Sequence, residues 1–97
     1  MKRTENEETF GGVLNRLLKA YGLEDGYHAA AVITHWEKLM GTAVAKRTKE
    51  VKLNKGTLTI YLESASLRQE LSFSKEKIAE KINAEMDMNL VQRVEFR

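Results

Sequence analysis

The spacing of the apolar residues changes near residue 50, from the three- or four-residue interval of a helix to the two-residue interval of a strand. Two runs, residues 50–53 and 57–62, alternate polar with apolar residues and are separated by the glycine-bearing turn sequence 54–56. The alternating apolar positions are Val51, Leu53, Leu58, Ile60 and Leu62. This pattern predicts an antiparallel β-hairpin with one buried face, which other elements must cover.

Helical spacing precedes the hairpin in two stretches. One apolar stripe over residues 10–21 predicts a first helix, with Thr9 as its N-cap. A second stripe predicts a helix over residues 27–46, with Asp25 as its N-cap. Gly41 lies inside this second stretch and is expected to bend the helix or to allow close packing.

After the hairpin, apolar spacing predicts a third helix over residues 67–85. Ser66 and Gln69 have the spacing of a capping box at its start, and residues 72–74 are its weakest point. The alternating residues 90–97 predict a final strand. The order α-α-β-β-α-β therefore predicts an α+β two-layer sandwich, with a three-stranded sheet covered by helices on one face.

The length of 97 residues fits one domain, which we place at residues 9–97 after a flexible polar N-terminus at residues 1–8. The first residues have no apolar core of a signal peptide, and no apolar run is long enough to span a membrane. The chain also has no cysteine, so disulfides and thiolate chemistry are excluded. We therefore expect a cytoplasmic protein without membrane association.

The sequence offers little for catalysis. It has no phosphate-binding P-loop, and its serines have neither an elbow motif nor an evident base. His28 and His35 lie seven residues apart on the predicted second helix, but no carboxylate pattern completes a metal shell around them. We therefore predict a non-enzymatic protein with no cofactor, no metal and no small-molecule substrate.

The net charge of +2 does not indicate a nucleic-acid partner, but the cations are clustered. Within residues 46–55, five cations face one carboxylate, that of Glu50. The outer face of the predicted sheet carries Lys52, Thr57, Thr59, Tyr61, Arg93 and Arg97. Cations for phosphates and an aromatic ring for a base are the parts of a single-strand binding surface. The predicted nucleic-acid-binding residues are Lys46, Arg47, Lys49, Lys52, Lys55, Tyr61, Arg93 and Arg97.

Structural explanations compete with this interpretation. The same residues can form a solvated sheet face whose lysines discourage pairing between sheet edges. Lys46 and Arg47 also stand where cations favour the dipole of a helix C-terminus. Trp36 has helical spacing with other apolar residues, so we expect a core anchor rather than a partner contact. Arg68 and Glu70, expected to be exposed at the start of the third helix, are candidate partner contacts.

An ordered set of segments resembles the DciA family over about residues 10–97. The segments are Trp36-Glu37-Lys38-Leu39-Met40-Gly41, Gly56-Thr57-Leu58-Thr59-Ile60, Ser64-Ala65-Ser66-Leu67-Arg68-Gln69-Glu70-Leu71, Ile82-Asn83 and Val94-Glu95-Phe96-Arg97. Members are bacterial accessory proteins that associate with the replicative DnaB helicase and assist its loading on DNA. The resemblance implies a KH-like fold and this helicase-associated role.

The sequence departs from the family at Leu67, where many members carry an aromatic residue, and at Arg97, where many continue into a basic tail. The cations of residues 46–55 are then the expected source of DNA affinity. The Gly-x-x-Gly loop of nucleic-acid-binding KH modules is also missing, since Gly22 and Gly26 are one residue too far apart.

These observations favour a helicase accessory protein with weak, salt-sensitive DNA contact. The alternative is a general module that binds single-stranded DNA or RNA without a helicase. A structural subunit that only oligomerises is a third possibility.

Overall fold

A three-stranded mixed sheet and a layer of helices form the fold in the computed structural model, which describes residues 9–97. The elements are α1 Phe10–Ala20, α2 Glu24–Thr34, α3 Trp36–Met40, α4 Thr42–Lys46, β1 Thr48–Asn54, β2 Thr57–Leu62, α5 Ala65–Ser72, α6 Lys75–Met86 and β3 Arg93–Phe96. The predicted α+β class and the order α-α-β-β-α-β are confirmed. The predicted flexible N-terminus, residues 1–8, lies outside the described residues.

The hairpin is confirmed in its strands, its turn and its buried face. β1 pairs antiparallel with β2, and the two-residue turn has positive φ at both Lys55 (48°) and Gly56 (85°). Positive φ at both central residues is the geometry of a type I′ turn, whose twist suits a two-residue hairpin. β3 pairs parallel with β2, so the strand order is β1-β2-β3. All five alternating apolar residues of the hairpin are buried.

Backbone contacts of the turn tie the hairpin to its neighbours. The Gly56 carbonyl accepts hydrogen bonds from the backbone N–H groups of Gln92 (2.8 Å) and Arg93 (3.0 Å), at the start of β3. The Lys55 N–H donates to Oδ2 of Asp25 at 3.0 Å, in the first turn of α2. The prediction that Asp25 caps the second helix is therefore wrong, because its carboxylate binds the hairpin turn instead.

The second helix, predicted as one element over residues 27–46, is divided into α2, α3 and α4. It begins earlier than predicted, at Glu24, and is interrupted at His35 and at Gly41. The break at Gly41 is the expected one, since φ is +86° there. The break at His35 has no signal in the apolar spacing. Thr9 caps α1 as predicted, because its hydroxyl accepts from the Gly12 N–H at 2.9 Å.

The predicted third helix is divided into α5 and α6 at the weak point, residues 73–74. The predicted capping box of Ser66 and Gln69 is wrong, because the N-cap of α5 is two residues before Ser66. Ser64 is the N-cap, and its hydroxyl accepts from the Leu67 N–H at 3.2 Å. Ser66 lies within the first turn, where its hydroxyl is 3.1 Å from that of Ser64.

Asn83 on α6 holds the segment that leads into β3. Its Oδ1 accepts from the N–H groups of Leu90 (3.0 Å) and Val91 (2.7 Å), and its Nδ2 donates to the Val91 carbonyl (2.8 Å). These bonds satisfy backbone groups that have no strand or helix partner in this irregular segment. One side chain thereby fixes where the third strand starts.

Trp36 is a core residue, as predicted, and its indole is hydrogen-bonded. Its Nε1–H donates to the Thr48 hydroxyl at 2.9 Å, and that hydroxyl donates to the Val44 carbonyl at 2.7 Å. This chain of bonds links α3, α4 and β1. It fixes the angle at which the end of α4 enters the first strand, and so places residues 46 and 47.

We expect Gly56→Ala to destabilise the fold by about 1–2 kcal/mol, the typical cost of left-handed backbone for an L-residue. The added Cβ would also meet the Gln92 side chain at 3.1 Å. The control is Gly26→Ala in α2, where nothing lies within 4 Å and the helix should gain up to about 1 kcal/mol. Urea unfolding measures both changes, and equal losses would contradict the turn assignment.

We expect Thr48→Val to cost about 1–3 kcal/mol, because the buried Trp36 N–H loses its acceptor. Thr34→Val is a matched control, since the Thr34 hydroxyl also donates to a carbonyl four residues earlier, at 3.0 Å, but is exposed and accepts nothing. Its expected cost is below about 0.5 kcal/mol. Trp36, the single tryptophan, reports unfolding by its fluorescence. Equal effects would show that the Trp36 hydrogen bond contributes nothing.

Candidate nucleic-acid and partner surfaces

The outer face of the sheet carries Lys52 on β1, one of the two edge strands. Lys52 of β1 lies opposite Thr59 of β2, which in turn lies opposite Glu95 of β3. The Lys52 Nζ is 5.7 Å from the centroid of the Tyr61 ring, within the range of a cation–π contact. Tyr61 is half-buried, so part of its ring is open to solvent. The structure therefore brings a cation and an aromatic ring together as the predicted set requires.

Two carboxylates lie among the outer-face cations. Glu50 Oε2 is 3.8 Å from Lys52 Nζ, and Glu95 Oε2 is 3.6 Å from Arg97 Nη2. Exposed pairs of this kind are worth less than about 1 kcal/mol, so an incoming phosphate can displace them. In the sequence, the two-residue alternation of the last strand already places Glu95 on the same face as Arg93 and Arg97. The predicted set named the two arginines without this neighbouring carboxylate.

The cations are spread along the sheet and do not line one pocket. Lys55 and Arg93 lie at the turn end, where Arg93 N–H donates to the Gly56 carbonyl. Lys46 and Arg47 lie at the far end of β1, a strand of seven residues and so about 23 Å long. The result is a cationic strip: Lys46, Arg47, Lys52, Lys55, Tyr61, Arg93 and Arg97.

Lys49, also in the predicted set, lies at an irregular position of β1 between Arg47 and Lys52. The pairing of β1 with β2 is interrupted between Thr48 and Glu50, so Lys49 is the extra residue of a β-bulge. It is exposed and lines a cavity of about 230 Å³ beside β1, together with Trp36 and Glu50. The alternation of polar and apolar residues in the sequence does not reveal a bulge. The prediction therefore treated Lys49 in the same way as the neighbouring cations.

The end of β2 is bonded to the backbone of two arginines and to the side chain of a third. The Leu62 N–H donates to the Arg97 carbonyl at 2.8 Å, and the Glu63 N–H donates to the Arg47 carbonyl at 2.9 Å. Arg68 Nη1 donates to the Leu62 carbonyl at 2.7 Å. These bonds tie the end of β2 to the residue that follows α4, to α5 and to the residue that follows β3.

The candidate partner contacts differ in exposure. The expectation that Arg68 is exposed is wrong, because it is half-buried and its guanidinium fastens α5 to the sheet. Glu70, two residues further along α5, is exposed. A surface formed by these residues would therefore present the Glu70 carboxylate freely and only the outer part of the Arg68 guanidinium.

The two histidines are not part of a cluster of metal ligands within the described part of the chain. His35 Nδ1 is 3.6 Å from Glu85 Oε2, which also accepts from Lys38 Nζ at 3.0 Å. His28 stacks edge-on with Tyr27, at 5.7 Å between ring centroids. Residues 9–97 contain no group of three potential metal ligands, and none of their helices is long and apolar enough to cross a bilayer.

Comparison with known proteins identifies one family. A family model described as "Dna[CI] antecedent, DciA" matches residues 9–96, nearly the whole chain. No curated protein sequence matches. The resemblance found in the sequence segments is thereby confirmed, and this family is of the DnaB helicase loader type.

Proposed function

The chain belongs to the DciA family, and from this membership we propose that it is a non-enzymatic accessory protein that binds a DnaB-type replicative helicase and assists its loading on DNA. The observation that carries the proposal is the family match over nearly the whole folded region, residues 9–96. The family is a helicase loader and accessory family, not a known family of enzymes.

The cationic strip supports a weak contact with DNA. Six of its seven residues are cations, while the carboxylates of Glu50, Glu63 and Glu95 lie among or beside them. Each phosphate must displace a carboxylate or a counterion, so affinity is modest and falls with salt. Tyr61, next to Lys52, supplies a ring on which a base can stack. Such a surface holds a strand without selecting its sequence.

The start of α5 supports a protein contact. Arg68 fixes this helix to the end of β2, so Glu70 is presented from a rigid element and not from a loop. A rigid exposed carboxylate suits a cationic or hydrogen-bond-donating patch on a partner. The helicase contact is therefore proposed at the exposed side of α5.

Loading requires more than a joint complex. A bound protein shifts a conformational equilibrium only if it binds one state more tightly than another. The accessory protein must therefore prefer the helicase state that admits DNA. In this mechanism the chain contributes binding energy at α5, while the strip keeps the strand close to the helicase.

A second candidate function is a general single-strand binding module without a helicase. The pairing of Lys52 with Tyr61 is the observation that favours it, because a cation beside a ring is sufficient for such binding. The two functions differ in their partners and in their response to salt. A plain binder loses affinity steeply with salt, whereas a protein complex formed at α5 persists.

We expect the chain to co-elute with the DnaB-type helicase of its own organism in size-exclusion chromatography with light scattering, at low and at moderate salt. Glu70→Lys should weaken this complex at least about fivefold, since a fully engaged interface charge is worth about 1 kcal/mol or more. Glu80→Lys on α6 is the control, because that residue is equally exposed and lies on another helix.

Independent elution of a folded sample at both salt concentrations would contradict the accessory function and leave the single-strand module. Equal weakening by both charge reversals would contradict only the assignment of the contact to α5. Circular dichroism of each variant checks that its helices are intact.

We expect Lys52→Glu to weaken single-stranded DNA binding several-fold and to reduce the slope of log K against log salt by about 0.7 or more, the value for one phosphate. Lys77→Glu is a matched control with the same change of charge, because Lys77 is also exposed but lies on α6, outside the predicted binding set. Fluorescence anisotropy at several salt concentrations measures both. Equal losses would show that the outer face is not the binding surface.

A further inference from the structure

The first strand of the sheet has one side without a neighbour. The strand order is β1-β2-β3, so β1 pairs with β2 and, within residues 9–97, with no strand on its other side. An unpaired strand edge presents backbone N–H and C=O groups that another extended chain can bind. Asp25 binds the Lys55 N–H in the turn and leaves the strand itself open. The free edge of β1 is therefore available to an added strand.

Val51 and Leu53 supply the free backbone groups. Asn54 and Thr57 flank the two-residue turn, and residues in that position form a hydrogen-bonded pair. Hydrogen-bonded and non-hydrogen-bonded pairs alternate along an antiparallel ladder, so Val51 and Leu53 direct their N–H and C=O groups away from β2. Both side chains are buried in the core. Residues of an added strand opposite them would point their side chains to the same, helical side of the sheet.

A groove between β1 and α2 has space for those side chains. The lining residues of α2 are spaced as one helix face, and three of the four are small: Gly26, Ala29, Ala30 and Ile33. With Val51 and Leu53 they line a cavity of about 380 Å³. A second cavity, of about 230 Å³, is also lined by Ile33 and Val51 and extends to Trp36. The groove can therefore receive side chains that are two residues apart on an added strand.

The charges of β1 favour an acidic strand. Residues 48–55 include three exposed lysines, against one carboxylate, that of Glu50. The residue of an added antiparallel strand between those opposite Val51 and Leu53 would lie opposite Lys52, on the outer face. This is a non-hydrogen-bonded pair, in which the side chains are closest. A carboxylate in that position gains an opposite-charge pair across the strands.

A second copy of β1 fits this edge poorly. If Val51 paired with Leu53 of the second copy, Lys52 would lie opposite Lys52 of the second copy, and like charges directly opposite are destabilising. A shift of the register would bring in either Lys49, at the bulge, or Lys55, in the turn. Neither residue continues a regular ladder. The edge therefore favours a chain of different sequence.

We propose that the free edge of β1 binds an extended, antiparallel segment of a partner protein in which a carboxylate lies between two aliphatic residues. The aliphatic side chains enter the groove beside α2, and the carboxylate pairs with Lys52. The backbone of the segment exchanges hydrogen bonds with Val51 and Leu53, as in other cases of strand addition to a sheet edge. This surface is separate from α5 and does not depend on the proposed function.

The full chain and a labelled synthetic peptide test the charge of the segment. The peptide has a central glutamate, a valine on each side of it and a threonine at each end. Fluorescence anisotropy should show saturable binding between about 1 μM and about 1 mM. Lys52→Glu should weaken binding roughly fivefold, and a peptide with lysine in place of the glutamate should then bind this variant better than the unaltered chain. Lys77→Glu, an exposed charge reversal on α6, is the control and should change nothing.

N-methylated peptides test the backbone contact. In the proposed arrangement the valine nitrogens face β1 and the glutamate nitrogen faces away. Methyl groups on both valine nitrogens should abolish binding, whereas a methyl group on the glutamate nitrogen should not. The bound peptide should also slow hydrogen exchange of the Val51 and Leu53 amides, measured by NMR. The Lys52 amide, which faces β2, should be unchanged.

A larger side chain in the groove tests the contact with α2. Ala30→Leu should weaken peptide binding several-fold, because Ala30 lines the groove and is exposed. Ala65→Leu is the control, since Ala65 is also exposed but lies on α5, and it should have no effect. Circular dichroism of each variant shows that its helices are intact.

Three results would overturn the proposal. One is the absence of binding by the glutamate peptide up to about 1 mM. Another is equal binding of the two N-methylated peptides, because the contact would then depend on charge alone. The third is slow exchange of the Val51 and Leu53 amides that increases with protein concentration in the absence of peptide, which would assign the edge to a second copy of the chain.

Discussion

The carbonyl group of Gly56 joins the antiparallel hairpin to the parallel third strand. It accepts from Gln92 and from Arg93, the first residue of β3, while the backbone N–H of Lys55 donates to Asp25 at the start of α2. A two-residue turn with positive φ places these groups at the end of the sheet, and a longer loop would not. The register of β2 with β3 depends on this turn, and so does the spacing of Lys52 and Arg93 on the outer face.

Local periodicity was sufficient to predict the hairpin, the core tryptophan and the order of the elements. It failed where two local choices were equally good or where the chain departed from a regular repeat. Ser64 and Ser66 have the same capping ability, and only the course of the chain after β2 selects Ser64. The bulge at Lys49 is a tertiary feature, since it appears only when β1 is aligned with β2. Arg68 was expected in solvent because no local pattern shows that its guanidinium reaches a strand carbonyl.

The outer face and α5 divide the proposed work between weak and specific contacts. In the proposed function, cations interspersed with carboxylates, as at Glu50 and Glu95, would hold a strand loosely, because each phosphate contact replaces an internal ion pair of similar strength. A protein contact from a helix fixed to the sheet is less sensitive to salt. For a loader this division is useful, because the strand must pass on to the helicase while the protein contact persists.

The three hydrogen bonds of Asn83 have a consequence for the dynamics of the chain. Residues 90 and 91 belong to no helix or strand, yet their amide hydrogens are bonded to a side chain of α6. Such amides exchange with solvent only after these hydrogen bonds break, so they are more protected than the amides of a loop in water. The protection of residues 90 and 91 therefore depends on where α6 holds the Asn83 side chain. Parallel pairing of β3 with β2 joins residues that are far apart in the sequence, and such contacts normally form slowly. The Asn83 side chain links the start of β3 to α6, a helix held by local contacts, which normally form quickly.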